Sequence, residues 1–260
     1  MFAAVKEGNV KELADLMRKD PGFDVNGLGE DGGALLSLAC SYGRDDVIPL
    51  LLAPPEIDVN LEDSEGFSPV MSSCFDGRTS CVRELLKDSR VKVNEADNYG
   101  CTPVFLAALY GYLDVIKWWI ASGRELDLGE PGNVYNTDVI GIATKYDKTE
   151  MVALLERFKE NMEETRHVMR TELGWYDEAA AEMFALVVFV TDELLQVKDT
   201  TTTPPARFFN IVNQLPLELQ MVICYRFAGS SKEIIPGHDS EVAFKELAQR
   251  LLWSSFFTTG

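Results

Sequence analysis

Apolar and small residues recur with a constant step along the first 160 residues of this 260-residue chain. The leading glycines of three short turns are 34 residues apart, and they stand at Gly32, Gly66 and Gly100. A second marker has the same step and ends in Asn26, Asn60 and Asn94. Repetition at a fixed period predicts a stack of similar units, each of which buries its apolar face only against its neighbours.

The clearest unit shows which elements one period contains. Thr102-Pro103 predicts a helix start, because the threonine hydroxyl can cap the helix and proline fits its first position. The apolar pattern then predicts a short helix over 104–110, a turn at Gly111, and a second amphipathic helix from Leu113 to Ile120. Each unit is therefore predicted to be a helix-turn-helix followed by a projecting turn, which we call a finger.

These motifs resemble the ankyrin repeat. Residues 98–108 (NYGCTPVFLAA) stand where that family has x-x-G-x-T-P-L-H-x-A-A, and residues 110–117 match the start of its second helix. The resemblance implies an all-α fold, a solenoid of helix-turn-helix units with β-hairpin-like fingers. It places an ankyrin-repeat domain at 1–160, and we assign its five units approximately to 1–28, 29–62, 63–96, 97–130 and 131–160.

The sequence departs from the family pattern in two ways. The histidine that follows Thr-Pro-Leu in the family is replaced by Ser37, Met71 and Phe105, so the hydrogen bonds of that histidine between units are expected to be absent. The fifth unit lacks the turn motif, and its Tyr146 follows Tyr110 by 36 residues, which predicts two extra residues in its finger. Neither departure changes the predicted fold.

The resemblance also indicates where a partner would bind. In ankyrin repeats the finger tips and the first helices line a concave face, which predicts a protein-binding surface. The aromatic residues Tyr42, Phe75 and Tyr110 would form a row with one member per unit; the alternative is that they pack against the neighbouring first helix. The predicted binding residues are Asp31, Tyr42, Glu65, Phe67, Phe75, Asp76, Asn98, Tyr99, Leu109 and Tyr110.

The charge distribution indicates what kind of partner this would be. The chain has 42 Asp and Glu against 24 Lys and Arg, a formal charge of −18. Between Arg44 and Arg78 there is no Lys or Arg at all, while acids are frequent there. This excess excludes a typical nucleic-acid binder and would steer a protein with a basic surface or peptide to this side. A solvated acidic face that keeps the protein soluble is the alternative.

Residues 161–260 carry no repeat marker and are predicted to be a helical region that caps the stack. Helices are expected at 161–172, 175–198, 206–213, 215–228 and 240–253. The segment Leu215-Pro216-Leu217-Glu218-Leu219 resembles the opening of an F-box, which would make the chain a substrate adaptor of a ubiquitin ligase. Leu-Pro-x-Glu is also a generic helix start, and we favour that structural interpretation.

Candidate chemistry is sparse. The two histidines, His167 and His238, have no nucleophile motif beside them, and a C-terminal enzyme that uses one of them is a further alternative. Of the five cysteines, Cys40 and Cys74 occupy the small buried position of Ala108, whereas Cys101 is expected to be more exposed and open to reaction. We predict no catalytic residues, no metal and no cofactor.

Targeting signals are also sparse. The longest apolar run, Met183 to Val190, is far shorter than the roughly twenty residues that cross a bilayer. Because no pair of cysteines has C-x-x-C spacing, we expect reduced thiols and an intracellular protein, cytoplasmic in the first instance with the nucleus left open. The predicted role is that of a non-enzymatic scaffold that binds another protein but neither nucleic acid nor a membrane.

Overall fold

The computed structural model describes residues 1–20, 22–29, 32–129, 133–191, 212, 215, 217–229, 242–244 and 246–248. The chain divides into two compact units, one of Met1–Met169 and one within Arg170–Ser255. The two units are described separately below. Within the described residues the secondary structure is helical apart from one isolated β-bridge between Leu28 and Ala34, which confirms the predicted all-α class.

The first compact unit, which contains the repeats, consists of paired helices in the predicted order. Their bounds are α1 Phe2–Glu7, α2 Val10–Lys19, α3 Leu35–Tyr42, a 3-10 turn Asp45–Val47 with α4 Ile48–Leu52, α5 Pro69–Phe75, α6 Thr79–Lys87, α7 Pro103–Tyr110, α8 Leu113–Ser122, α9 Val139–Lys145, α10 Thr149–Glu160 and α11 Met162–Glu172. The predicted cap of α7 is present, since Thr102 Oγ1 accepts a hydrogen bond from Phe105 N.

Repeated asparagines form hydrogen bonds between each repeat and the next. Asn26 accepts a hydrogen bond from Asp58 N at 2.7 Å through Oδ1 and donates to the Glu56 carbonyl at 2.9 Å through Nδ2. Asn60 makes the same pair of bonds to Lys92 N and the Arg90 carbonyl, one unit further along. The 34-residue marker seen in the sequence is therefore a bridge between units, because each amide side chain satisfies two backbone groups of its neighbour.

The core of the first compact unit lies between the first helices of successive repeats, where α3 packs on α5, α5 on α7 and α7 on α9. Small residues allow this close approach, and Cys40, Cys74, Ala107 and Ala108 are all completely buried. The prediction that Cys40 and Cys74 are packing residues is confirmed. Burial raises the pKa of the Cys40 thiol to about 12, so it stays protonated and inert at neutral pH.

The residues that replace the family histidine are also buried. Met71 and Phe105 fill this position with apolar side chains, whereas Ser37 leaves its Oγ without a hydrogen-bond partner among the described residues. A buried hydroxyl without a partner loses its bonds to water and gains none in return. Ser37 is thus a weak point in the interface between the first helices.

We therefore expect Ser37→Ala to raise the free energy of unfolding by about 0.5–1 kcal/mol, because it removes an unpaired hydroxyl and introduces a better helix former. Ser73→Ala is the matched control, since Ser73 is also buried but donates to the Pro69 carbonyl at 3.1 Å. That substitution should lower the free energy of unfolding by a similar amount. Urea unfolding followed by circular dichroism measures both, and a stabilising effect of both substitutions would refute this interpretation of Ser37.

Helix α11 belongs to the first compact unit over most of its length. Thr165 Oγ1 donates to the Arg157 carbonyl at 3.1 Å, and Arg166 Nε donates to the Ile120 carbonyl at 3.4 Å. Met169 is buried and is the last residue of this compact unit before the second begins. The first compact unit thus extends nine residues beyond residue 160, where the repeat domain was expected to end.

The second compact unit is built around α12, Trp175–Thr191, and α13, Leu217–Ala228. Its buried cluster contains Phe184, Val187, Cys224 and Tyr225, and Phe244 packs edge-on against Phe184. Within the described residues, the helices expected at 175–198 and 215–228 are present at Trp175–Thr191 and Leu217–Ala228, and residues 192–198 lie outside the described residues. Of the helices expected at 206–213 and 240–253, the structure describes helical backbone at Val212 and in 242–244 and 246–248, and their remaining residues lie outside the described residues.

Candidate surface on the first helices and fingers

The first helices end at left-handed residues that fix the register of the predicted surface. Gly43 (φ 68°), Gly111 (φ 82°) and Asp147 (φ 55°) directly follow Tyr42, Tyr110 and Tyr146. In the third repeat Gly77 takes this role, and α5 ends two residues before it, at Phe75, as α9 ends at Lys145 two residues before Asp147. Asp76 therefore holds the position equivalent to Tyr42 and Tyr110, and Phe75 holds that of Leu109.

Phe75 nevertheless joins Tyr110 in a continuous group of rings. The Phe75 and Tyr110 centroids are 5.0 Å apart with an edge-on angle of 74°, Phe67 lies 5.5 Å from Phe75, and Tyr112 stacks on Tyr110 at 6.1 Å. We call these four residues the Tyr110 cluster. Phe75 and Tyr110 remain 38% and 44% exposed, so their rings pack against each other and also present a face to solvent.

Tyr42 lies apart from this cluster. Among the described residues no other ring pairs with it, and its neighbour is Lys6, whose Nζ lies 5.7 Å from the ring centroid. Tyr146 has a similar neighbour, since Lys145 Nζ lies 5.9 Å from its centroid. The expected row of three equivalent aromatics is therefore a contacting group at Phe75 and Tyr110, with separate tyrosines at Tyr42 and Tyr146.

Carboxylates hold the fingers in shape. Asp63 Oδ1 accepts hydrogen bonds from Glu65 N and Phe67 N, and Asp97 Oδ1 accepts them from Tyr99 N and Cys101 N. Adjacent fingers are joined by Asn98, which donates through its amide to the Ser64 carbonyl and through its backbone N–H to the Glu65 carbonyl. These bonds turn the Tyr99 side chain outward, where it is 51% exposed.

The described members of the predicted binding set are accessible to different degrees. Tyr42, Glu65, Phe75, Asn98, Tyr99 and Tyr110 are exposed, and Phe67, Asp76 and Leu109 are half-buried. Asp31, with its neighbour Glu30, lies outside the described residues. The prediction omitted two exposed tyrosines of the fifth unit: Tyr146, which the 36-residue spacing could have revealed, and Tyr135, which lies 5.5 Å from Phe105 in an irregular finger.

Cys101 corrects one expectation. It was expected to be exposed at the finger, but only 2% of it is accessible, because the Asp97 turn directs its side chain inward just before α7. Burial raises the pKa of its thiol to about 11, and the negative charge of Asp97 acts in the same direction. The thiol is therefore protonated at neutral pH and is a packing residue rather than a reactive one.

The electrostatics of this side of the repeats follow the acidic bias of the sequence. Burial raises the pKa of Asp45, and the nearby negative charges of Asp46 and Glu84 add to the effect. The pKa of the Tyr110 hydroxyl is also raised, first by burial and then by Tyr135, Tyr112 and Asp76.

Metal-ligating side chains and the two histidines are the candidate groups for chemistry. No three His, Cys, Asp or Glu side chains in the described part of the chain are placed to hold a metal ion. His167 is exposed on α11, and His238 lies outside the described residues. Within the same part of the chain, none of the helices combines the length and the apolar character that crossing a membrane requires.

Comparison with protein families agrees with the fold. Residues 36–130 match the family model of ankyrin repeats, in three copies. The chain therefore contains ankyrin repeats, as the resemblance of the sequence suggested, and the C-terminal helical region is not recognised by any family model. No curated protein matches the chain. Ankyrin repeats are typical of protein–protein interaction modules and are generally not enzymes.

Proposed function

We propose that this chain is a non-enzymatic binding module that holds a basic partner protein on its first helices and fingers. The observation that carries the proposal is the Tyr110 cluster, in which Phe75 and Tyr110 contact each other at 5.0 Å yet keep a large exposed fraction. Exposed aromatics that are already packed together lose little conformational entropy on binding, and they are frequent anchors of interfaces.

The fingers extend this surface. Tyr99 projects from one finger, and Asn98 links that finger to the one that carries Glu65. Because the Asn98 bonds and the asparagine bridges fix the spacing of the fingers, a partner would meet a preformed surface. Binding by such a surface requires little ordering of the module itself.

Charge supports a basic partner. Glu65 and Asp76 belong to the segment between Arg44 and Arg78 that contains no Lys or Arg, and neither forms an ion pair with a described residue. Acids at the rim of an aromatic patch raise the association rate of a cationic partner and disfavour acidic ones. The protein is thus proposed to act inside the cell, as a scaffold for a protein with a basic surface.

Affinity capture from cell lysate with mass spectrometry tests this proposal. The full-length wild type is compared with a Phe75→Ala/Tyr99→Ala/Tyr110→Ala variant whose helicity is confirmed. A Met162→Ala/Val168→Ala variant is the control, because it also removes exposed apolar side chains, but from α11. We expect a specific basic protein to be lost with the triple variant alone. Equal capture by all three proteins would refute the proposed surface.

The same experiment addresses a second candidate function, a substrate adaptor of a ubiquitin ligase. In its favour, Leu217 and Leu219 at the start of α13 are about half exposed, as a docking segment requires. If the triple variant still captures ligase subunits while losing the basic protein, both surfaces operate in one adaptor. Recovery of ligase subunits and no basic partner would favour the adaptor function alone.

A further inference from the structure

The junction of the third and fourth units interrupts a row of cations. At the start of the second helix, Arg44 covers Gly8 and donates from Nε to the Lys6 carbonyl at 2.8 Å, and Arg78 covers Gly43 and donates to the Ser41 carbonyl at 3.0 Å. The side chain of Lys148 likewise lies over Gly111, directly beside Tyr110. Over Gly77, however, this position is occupied by the ring of Tyr112.

Lysines also lie near two other tyrosines of the first helices. Lys6 Nζ lies within 6 Å of the ring centroid of Tyr42, which ends α3, and Lys145 Nζ lies within 6 Å of that of Tyr146, which directly follows α9. Tyr110 has no such cation among the described residues, and its ring contacts are with Phe75 and Tyr112, while Asp76 directly follows Phe75 in the chain. The ring of Tyr110 therefore has no cation over its face within the described residues, although Lys148 lies beside the backbone at Gly111.

From this pattern we propose that the Tyr110 cluster is a recognition site for an arginine side chain of the partner. The inference rests on the proposed function and assigns its central contact. The guanidinium group stacks on the exposed face of the Tyr110 and Phe75 rings, and the carboxylate of Asp76 balances its charge.

Chemistry favours arginine over other side chains at this site. A guanidinium group is planar, is more weakly hydrated than an ammonium group, and combines stacking on an aromatic face with bonding to a carboxylate. Lysine offers only a compact, strongly hydrated charge. A neutral side chain would leave the half-buried Asp76 without a counter-ion in the complex.

The test uses full-length protein labelled with 3-fluorotyrosine and followed by ¹⁹F NMR. The eight tyrosine signals are assigned with Tyr→Phe variants. The probes are Nα-acetylarginine amide, the corresponding lysine amide, and the corresponding citrulline amide, which has the shape of arginine without its charge. We expect arginine amide to give a saturable shift of Tyr110 and Tyr112, at least about tenfold tighter than citrulline amide and tighter than lysine amide.

Variants locate the effect. Asp76→Asn should weaken arginine binding at least about threefold, whereas Asp114→Asn, which removes an exposed acid on α8, should leave it unchanged. Equal shifts with arginine and citrulline, an unsaturable drift of all eight tyrosines, or unchanged binding by Asp76→Asn would overturn the assignment. Any of these results would leave the capture experiment valid, so failure of the arginine site can be distinguished from failure of the proposed function.

Discussion

Replacing Trp119 by alanine is expected to lower the free energy of unfolding of the first compact unit by about 4 kcal/mol. Trp119 lies on α8, is completely buried, and donates from Nε1 to the Glu125 carbonyl at 3.0 Å. The substitution leaves a cavity that the surrounding helices can only partly fill, and it leaves a carbonyl oxygen without its donor. This loss is a large fraction of the stability of a typical domain.

The adjacent residue provides the control for this prediction. Trp118 is half-buried on the same helix, and the Arg83 guanidinium lies 3.8 Å from its ring centroid. Trp118→Ala removes the same number of atoms from a half-buried site, including the stacking contact with Arg83, and should cost about 1 kcal/mol. Urea unfolding followed by circular dichroism compares the two variants. Similar losses for both would contradict the core position of Trp119.

Replacing Gly77 by alanine is expected to lower the free energy of unfolding by about 2–3 kcal/mol and to disturb the Tyr110 cluster. Gly77 has φ 65°, which disfavours a residue with a Cβ, and an added Cβ would lie 2.5 Å from Tyr112 Cε1. The Tyr112 ring would have to swing away from Tyr110, on which it stacks. The variant should therefore lose partner binding as well as stability.

Gly129→Ala separates backbone strain from the clash with the ring. Gly129 has φ 73°, but an added Cβ would meet no described atom within 4 Å, so only the backbone cost of about 1 kcal/mol is expected. Thermal unfolding by circular dichroism and ¹⁹F spectra of the labelled tyrosines report the two effects. If both variants changed stability equally and left the Tyr110 signal in place, the proposed role of Gly77 would be wrong.

The repeat architecture could be predicted from the sequence because its signals are local. Thr102-Pro103 fixes a helix start, and the glycines that follow the first helices supply left-handed turns, so each period specifies its own structure. The recurring asparagines marked the period correctly, although their function as bridges between units became evident only from the hydrogen bonds of Asn26 and Asn60.

The details of the candidate surface could not be read in the same way. The 34-residue step places Asp76 rather than Phe75 in register with Tyr42 and Tyr110, but the ring contact of Phe75 with Tyr110 depends on side-chain packing between repeats. The burial of Cys101 depends on how Asp97 folds the finger back, which is a tertiary effect rather than a local propensity. Tyr135 joins the aromatic residues through a finger that has no repeat signature.

The central claim is that Phe75, Tyr99 and Tyr110 hold the partner. Its most direct test is the dissociation constant of the captured basic protein, measured by isothermal titration calorimetry for the full-length wild type, the triple alanine variant and the Met162→Ala/Val168→Ala control. Loss of two or three aromatic anchors predicts at least about 100-fold weaker binding by the triple variant and an unchanged constant for the control. A triple variant that binds as tightly as the wild type would show that the partner is held elsewhere on the chain.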